Sequence, residues 1–232
     1  MALGHGPKVV TDGLVLALDA ADVSSYPGSG TTWTDLSGQG NNGDLVNGVG
    51  YSGGSLVFDG VNDLVETQTL STQFLNTGLT LSIFFFYDPK TGNDNVISWG
   101  NAAFNTTSYS WELRLRGGLG SAEFSPGIGP GGTGYPLRLQ SASPLGWNGR
   151  IVCIDITYVA NGLATMYENG VLRATRDYTG VGTSDATRTV RIGRGTDSYF
   201  PGNIYNVKLY NRALTAAEIQ QNFNMHRSRF GI

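Results

Sequence analysis

Short runs in which apolar and polar residues alternate recur along the whole chain, and an alternation of period two predicts strands with one buried face. Leu79-Thr80-Leu81-Ser82-Ile83 alternates and then passes into the unbroken run Phe84-Phe85-Phe86-Tyr87, which predicts a strand buried on both faces. Val152-Cys153-Ile154-Asp155-Ile156-Thr157-Tyr158 places Val152, Ile154, Ile156 and Tyr158 on one side, and Tyr205-Asn206-Val207-Lys208-Leu209 alternates again. Leu14–Leu18, Ser55–Phe58, Asp63–Glu66, Val96–Trp99, Tyr109–Leu115, Tyr135–Leu139 and Thr189–Ile192 are further strand candidates. Thirty-four glycines and a charged fraction of only 14% suit tight turns between them rather than long exposed helices.

One hairpin stands out. Asn169-Gly170 separates Leu163–Glu168 from Val171–Arg176, and this dipeptide supplies the two positive φ angles of a two-residue turn. That register sets Tyr167 opposite Leu172 and Thr165 opposite Ala174, with Leu163 on the same side, taken as the inward one. A single helix is predicted. Thr215-Ala216-Ala217-Glu218 is a capping box, Leu214 and Ile219 form a hydrophobic staple around it, and Ile219 and Phe223 give one apolar face ending near Asn224. Many strands and one short helix imply an all-β, two-sheet antiparallel sandwich. The Gly-rich segment 117–134 is expected to be a loop or hairpin inside it, so the chain divides into an N-terminal arm (1–12), the sandwich (13–225) and a C-terminal tail (226–232).

A net charge of −3 offers nothing to nucleic acid, and no stretch approaches 18 apolar residues, so neither nucleic acid nor a membrane is an expected partner. The segment beginning at Met1 lacks the apolar core of a signal peptide, and the single Cys153 excludes an internal disulfide. Both features predict a protein made in a cytoplasm. The two histidines, His5 and His226, lie near the ends, so a nucleophile inside the sandwich is expected to lack a base. Gly127-Ile128-Gly129-Pro130-Gly131-Gly132 fits a dinucleotide pattern in letters only, because no helix can follow it.

Four motifs in order carry a resemblance. Gly13–Asp19 followed by Thr32-Trp33-Thr34-Asp35-Leu36-Ser37-Gly38, then Leu56-Val57-Phe58-Asp59-Gly60-Val61-Asn62-Asp63, then Trp147 with Tyr167-Glu168-Asn169-Gly170, and finally Gly202-Asn203-Ile204-Tyr205 with Tyr210–Thr215, resemble concanavalin-A-like, laminin-G-like jelly-roll domains. Residues 7–14 and the endings Gln220–Phe223 and Arg229–Ile232 are most similar to versions of this domain in structural proteins of tailed phages, including those infecting cyanobacteria. The resemblance implies a non-enzymatic virion protein (capsid decoration, head fibre or tail component) that contacts other virion proteins and itself, assembled in a host cytoplasm. The alternative is a lectin-like adhesin binding host glycan.

The same resemblance sets expectations for sites. The paired carboxylates of related glucanases are missing, and Glu112 is the nearest lone strand carboxylate. Asp197 matches one calcium ligand of pentraxin relatives, and Asp59, Asn62 and Asp63 are a second place for calcium, or simply turn residues. Trp99 and Tyr199 are candidates for stacking on a sugar, or for packing. His226, Arg227, Arg229 and Phe230 form a mixed basic and apolar tail expected to dock on a partner.

Overall fold

The computed structural model describes residues 8–68, 70, 77–87, 93–99, 111–116, 121–126, 139–140, 147, 149–179, 189–195 and 198–232. In chain order the strands are β1 (Leu14–Asp19), β2 (Thr32–Trp33), β3 (Gly43–Val46), β4 (Gly50–Ser52), β5 (Ser55–Asp59), β6 (Leu64–Thr67), β7 (Gly78–Tyr87) and β8 (Asn93–Trp99). They continue with β9 (Trp111–Arg116), β10 (Ser121–Pro126), β11 (Leu139–Gln140), β12 (Ile151–Val159), β13 (Leu163–Glu168), β14 (Val171–Asp177), β15 (Val190–Ile192) and β16 (Pro201–Tyr210), and the helix α1 spans Ala216–Phe230.

Among the described residues these form two eight-stranded antiparallel sheets. The first runs β14-β13-β12-β7-β16-β5-β4, and β1 also pairs with β16. The second runs β11-β10-β9-β8-β15-β6-β3-β2. Their inner faces meet in one core. Ile83, Phe85, Ile154, Ile156, Val207 and Leu209 from the first sheet bury against residues such as Val65, Ile97, Leu113 and Ile192 from the second. This is the two-sheet sandwich that the alternation implies. The resemblance motif around Trp33 has a structural task. Asp35 is buried and accepts from the amides of Ala17, Ser37 and Asn41 at 2.8, 2.9 and 3.0 Å, folding the 35–41 loop against β1.

Three expectations need correction. First, β13 turns its other side inward. Ala164 and Met166 are fully buried while Leu163 is 54% exposed. The Tyr167–Leu172 pair forms as expected, but a bulge shifts the register so that Met166 faces Ala174 and Thr165 faces Thr175. Second, Tyr205 is the extra residue of another bulge, between Ile204 and Asn206, so β16 does not alternate through Tyr205. The segment 117–134 contains β10, which pairs antiparallel with β9 as in the hairpin expected there. The very short β2, β3 and β4 escape a periodicity argument, which needs several residues to act on.

Third, α1 does not stop at Asn224. It continues to Phe230 and ends where Gly231 adopts φ 68°, a left-handed cap that favours glycine. Phe223, His226 and Phe230 prolong the apolar stripe at helical spacing, and all three pack on Phe84 of β7. The predicted capping box is present, with Glu218 accepting from the Thr215 amide at 2.8 Å. The burial of Phe84 on the outer face follows from this cover. Residues 8–12 lie against the same helix instead of projecting as an arm. The Val10 amide donates to Asn222 Oδ1 at 2.9 Å, the Tyr210 hydroxyl donates to the Val10 carbonyl at 3.0 Å, and Arg212 bridges Asp12 and Glu218.

Candidate functional site

The helix that runs on to Phe230 closes a groove of about 710 Å³ at the end of the first sheet. Phe86 and Tyr205 come from neighbouring strands on its outer face. The bulge before Asn206 turns Tyr205 toward the helix, and Phe230 lies edge-on against it with ring centroids 4.8 Å apart. The opposite wall is polar. It consists of Arg150, Glu168, Asn169 and Arg173, over a base that includes Trp147.

Local sequence explains how these side chains are held. Asn169 and Gly170 take φ of 52° and 76°, as the hairpin turn demands. Asn169 then ties the turn to β12, since its side-chain oxygen accepts from the Cys153 amide and its own amide donates to the Cys153 carbonyl, both at 2.9 Å. Glu168 accepts from the Trp147 indole at 3.0 Å and lies 2.9 Å from Arg173 Nε. Arg173 is the extra residue at the bulge in the β13–β14 hairpin, and its side chain is 43% exposed. Aromatic rings beside guanidinium, amide and carboxylate groups form a surface suited to stacking and hydrogen bonding. Glu168 is the one acidic side chain among the described residues of the wall, whereas glycoside hydrolysis uses two carboxylates across one bond.

The outer face of the second sheet carries a different cluster. Glu112 is not alone there. Glu123 on β10 is buried beside it, and the register sets Glu123 opposite Arg114. Arg114 sits 3.0 Å from Glu112 Oε1 and donates from Nε to Asn95 Oδ1 at 3.2 Å. The alternation Ala122-Glu123-Phe124 was the available signal for Glu123, hidden within a Gly-rich segment.

A third cluster lies beneath α1. His226 is buried, not solvated, and Lys208 Nζ donates to its Nε2 at 2.8 Å and to Asn206 Oδ1 at 3.1 Å. Asp155 and Cys153 are fully buried nearby, with the thiol 3.3 Å from Asp155 Oδ2. Burial holds the His226 imidazole down at about 2, helped by the positive charges of Lys208 and Arg229. Burial also pushes the Asp155 carboxyl up to about 6, holds the Lys208 ammonium down at about 8, and raises the Cys153 thiol. Sequence distance hid this meeting, because His226 reaches the sheet only if the helix outlasts Asn224.

The remaining candidates fall as follows. Asp59, Asn62 and Asp63 do come together, in a turn. Asp59 Oδ1 accepts from the Val61 amide at 2.7 Å, Asp63 Oδ2 accepts from the Asp59 amide at 3.0 Å, and burial raises the Asp63 carboxyl. No group of three or more His, Cys, Asp or Glu residues with the geometry to hold a metal occurs among the described residues, and Asp197 lies outside them. Trp99 is 1% exposed and packs in the core, while Tyr199 carries the Arg194 guanidinium over its ring at 5.1 Å. Of the expected docking residues, His226 and Phe230 are consumed in covering the sheet and Arg229 pairs with Asp19 at 3.0 Å. Arg227 remains exposed. No helix among the described residues is long and apolar enough to cross a membrane.

No curated protein sequence matches the chain. Solved structures do. The botulinum neurotoxin serotype D binding domain superposes with a TM-score of 0.70 at 14% identity, over 94% of this chain and 52% of that one. The binding domain of botulinum neurotoxin DC in complex with rat synaptotagmin II gives 0.69 at 15%, over 93% and 52%. Trypanosoma rangeli sialidase in complex with the inhibitor DANA gives 0.66 at 20%, over 96% and 34%. The chain therefore spans about half the length of the toxin binding domains and a third of the sialidase. At these identities the likeness is one of fold. The sequence profile of the Laminin_G_3 family matches residues 58–220, most of the chain, and with the two-sheet sandwich just described it shows that this chain belongs to the concanavalin A-like lectin/glucanase superfamily.

Proposed function

We propose that the chain is a non-catalytic recognition module that binds carbohydrate in the groove walled by Phe86, Tyr205 and Phe230 on one side and by Arg150, Asn169 and Arg173 on the other. The groove carries this reading, since aromatic faces take the apolar face of a sugar while guanidinium and amide groups take its hydroxyls. The commitment of Glu168 to Trp147 and Arg173 supports binding over hydrolysis. Solved relatives by fold include neurotoxin binding domains in complex with SialylT and with rat synaptotagmin II, so glycan and protein are the two partner classes to test. Purified protein on a glycan array, with Tyr205→Ala and Arg173→Ala beside it, is the experiment. Binding that both substitutions weaken at least tenfold is expected. An array without signal, or signal that neither substitution changes, contradicts the proposal.

A second reading, a virion structural protein that docks on other virion proteins or on itself, is favoured by the similarity of both chain ends to tailed-phage domains. With His226 and Phe230 packed on Phe84, this reading assigns docking to residues 1–7, which precede Lys8 in the sequence. Deletion of residues 1–7 should then abolish incorporation into particles without changing the melting temperature.

A further inference from the structure

Three strands set up the ground on which α1 sits. Register places Asp155, Ser82 and Lys208 in one row across β12, β7 and β16, and Cys153, Phe84 and Asn206 in the next. Asp19 of β1 lies opposite Asn206. The helix covers these rows with Phe223, His226 and Phe230. At the centre of the contact, Lys208 is 5% exposed and His226 is 8% exposed.

An ammonium group has only hydrogens to offer, so the 2.8 Å contact requires Nε2 of His226 to be an acceptor. We infer that this contact is an acid-labile latch: α1 stays docked, and the groove keeps its Phe230 wall, only while the His226 imidazole is neutral. Its regulatory meaning rests on the groove being the binding site, whereas the latch itself does not.

Protonation at Nε2 would set a donor against a donor and two cations against each other out of water. Arg229, one turn on, adds a third positive charge and is already engaged by Asp19 at 3.0 Å. Two further carboxylates face this region: Asp155 stands beyond Ser82 in the row, and Asp22 lines the cavity beside Lys208 and His226. The facing Cys153 is a buried thiol and brings no charge. Phe84 offers its ring to the imidazole at 5.5 Å, a contact too weak to replace a lost hydrogen bond and oppose two like charges. A cavity of about 440 Å³ bounded in part by Leu36, Asp19, Lys208 and His226 gives protons a route to the pair.

The direction of the effect follows from linkage. A released imidazole returns toward 6.5 from about 2, so each pH unit below 6.5 favours release by about tenfold. Asp155 opposes this: raised to about 6 when covered, it takes up a proton more readily in the docked state, between about 6 and its ordinary value of 3.8. Lys208, held at about 8, is already charged throughout the acid range. The two acid effects cancel between about pH 6 and 4, and below about pH 4 the pull toward release resumes at about tenfold per unit.

The test is NMR on the intact chain at about pH 7 and pH 3.5, on either side of that window. The amides of α1 and of the inner strand residues Leu81 and Ile83 are compared in wild type and in His226→Gln, whose amide oxygen can accept from Lys208 but cannot become charged. We expect opening of the wild-type helix, read from exchange of its amides, to rise in acid relative to the variant by about tenfold per pH unit below 6.5, while Leu81 and Ile83 stay protected in both. A wild-type helix that opens no more readily, relative to the variant, at about pH 3.5 than at about pH 7 overturns the latch. Should the variant fail to dock at neutral pH, the His226 ring resonances of the wild type decide: titration above about 5.5 with the helix still docked overturns the proposal. The latch and the binding site fail separately. Glycan binding absent at neutral pH contradicts the groove alone, and a helix whose opening in acid matches the variant's contradicts the latch alone.

Discussion

On the inner face of the first sheet, Ile83, Phe85, Ile154, Ile156 and Val207 meet apolar neighbours from the second sheet. On its outer face the same strands present Ser82, Cys153, Asp155, Asn206 and Lys208, and a helix hides them almost as completely. The two faces are equally buried and differently held. The inner face is stabilised by filled volume, which no change of pH alters. The outer face combines a few aromatic contacts with groups whose charge decides whether burial is tolerable. Cover of that second kind can be removed by chemistry that leaves the sandwich standing.

The comparison is sharpest where the effects are largest. Phe85→Ala empties a fully buried site between Trp147 and Phe200 and should cost about 3–5 kcal/mol, seen as a lowered urea midpoint at every pH. A loss that varied with pH would break the distinction between the faces. Asp155→Asn probes the other side. Acid favours release through His226 from 6.5 downward and favours docking through Asp155 between about 6 and 3.8, so the wild type gains and loses together. Without the carboxyl, variant stability relative to wild type should fall by about 1.4 kcal/mol per pH unit across that interval. Urea melts at several pH values would show it, and parallel profiles would contradict the assignment.

Smaller effects concern the start of the helix. Thr215→Ala removes a cap present in full and should cost about 0.5–2 kcal/mol in a urea melt. An unchanged midpoint would mean that α1 adds nothing to global stability. Glu218 is held at about 2, first by its hydrogen bond to Arg212. Its contribution is present above the ordinary 4.5 and is lost as pH falls toward 2. Because the pair is only part-buried and still screened by solvent, Glu218→Gln should cost about 1 kcal/mol or less, with the difference vanishing in acid.

The same two faces explain what the sequence disclosed. Period-two runs on β7 and β12 announced the inner face directly, and Thr215 with Glu218 announced the start of the helix, because both signals are local. The end of the helix was obscured by Asn224, Arg227, Ser228 and Arg229, which interrupt the stripe from Phe223 to Phe230. With that end misplaced, His226 appeared to be a tail residue, and neither the groove nor its latch could be assembled. The two bulges that aim Tyr205 and Arg173 into the groove leave no mark in a pattern of alternation, since a bulge is set by pairing with a partner strand.

The central claim is that recognition occurs in the groove beside the end of α1. The most direct measurement follows the indole N–H resonance of Trp147 and the Nε–H resonance of Arg173 while an array-positive oligosaccharide is added at neutral pH. Both donors meet Glu168 within the groove, so both should shift together and saturate at one ligand per chain. Saturable binding that leaves both resonances in place, and instead moves those of Arg114 and Asn95 on the second sheet, would put the site on the other face of the sandwich and contradict the account.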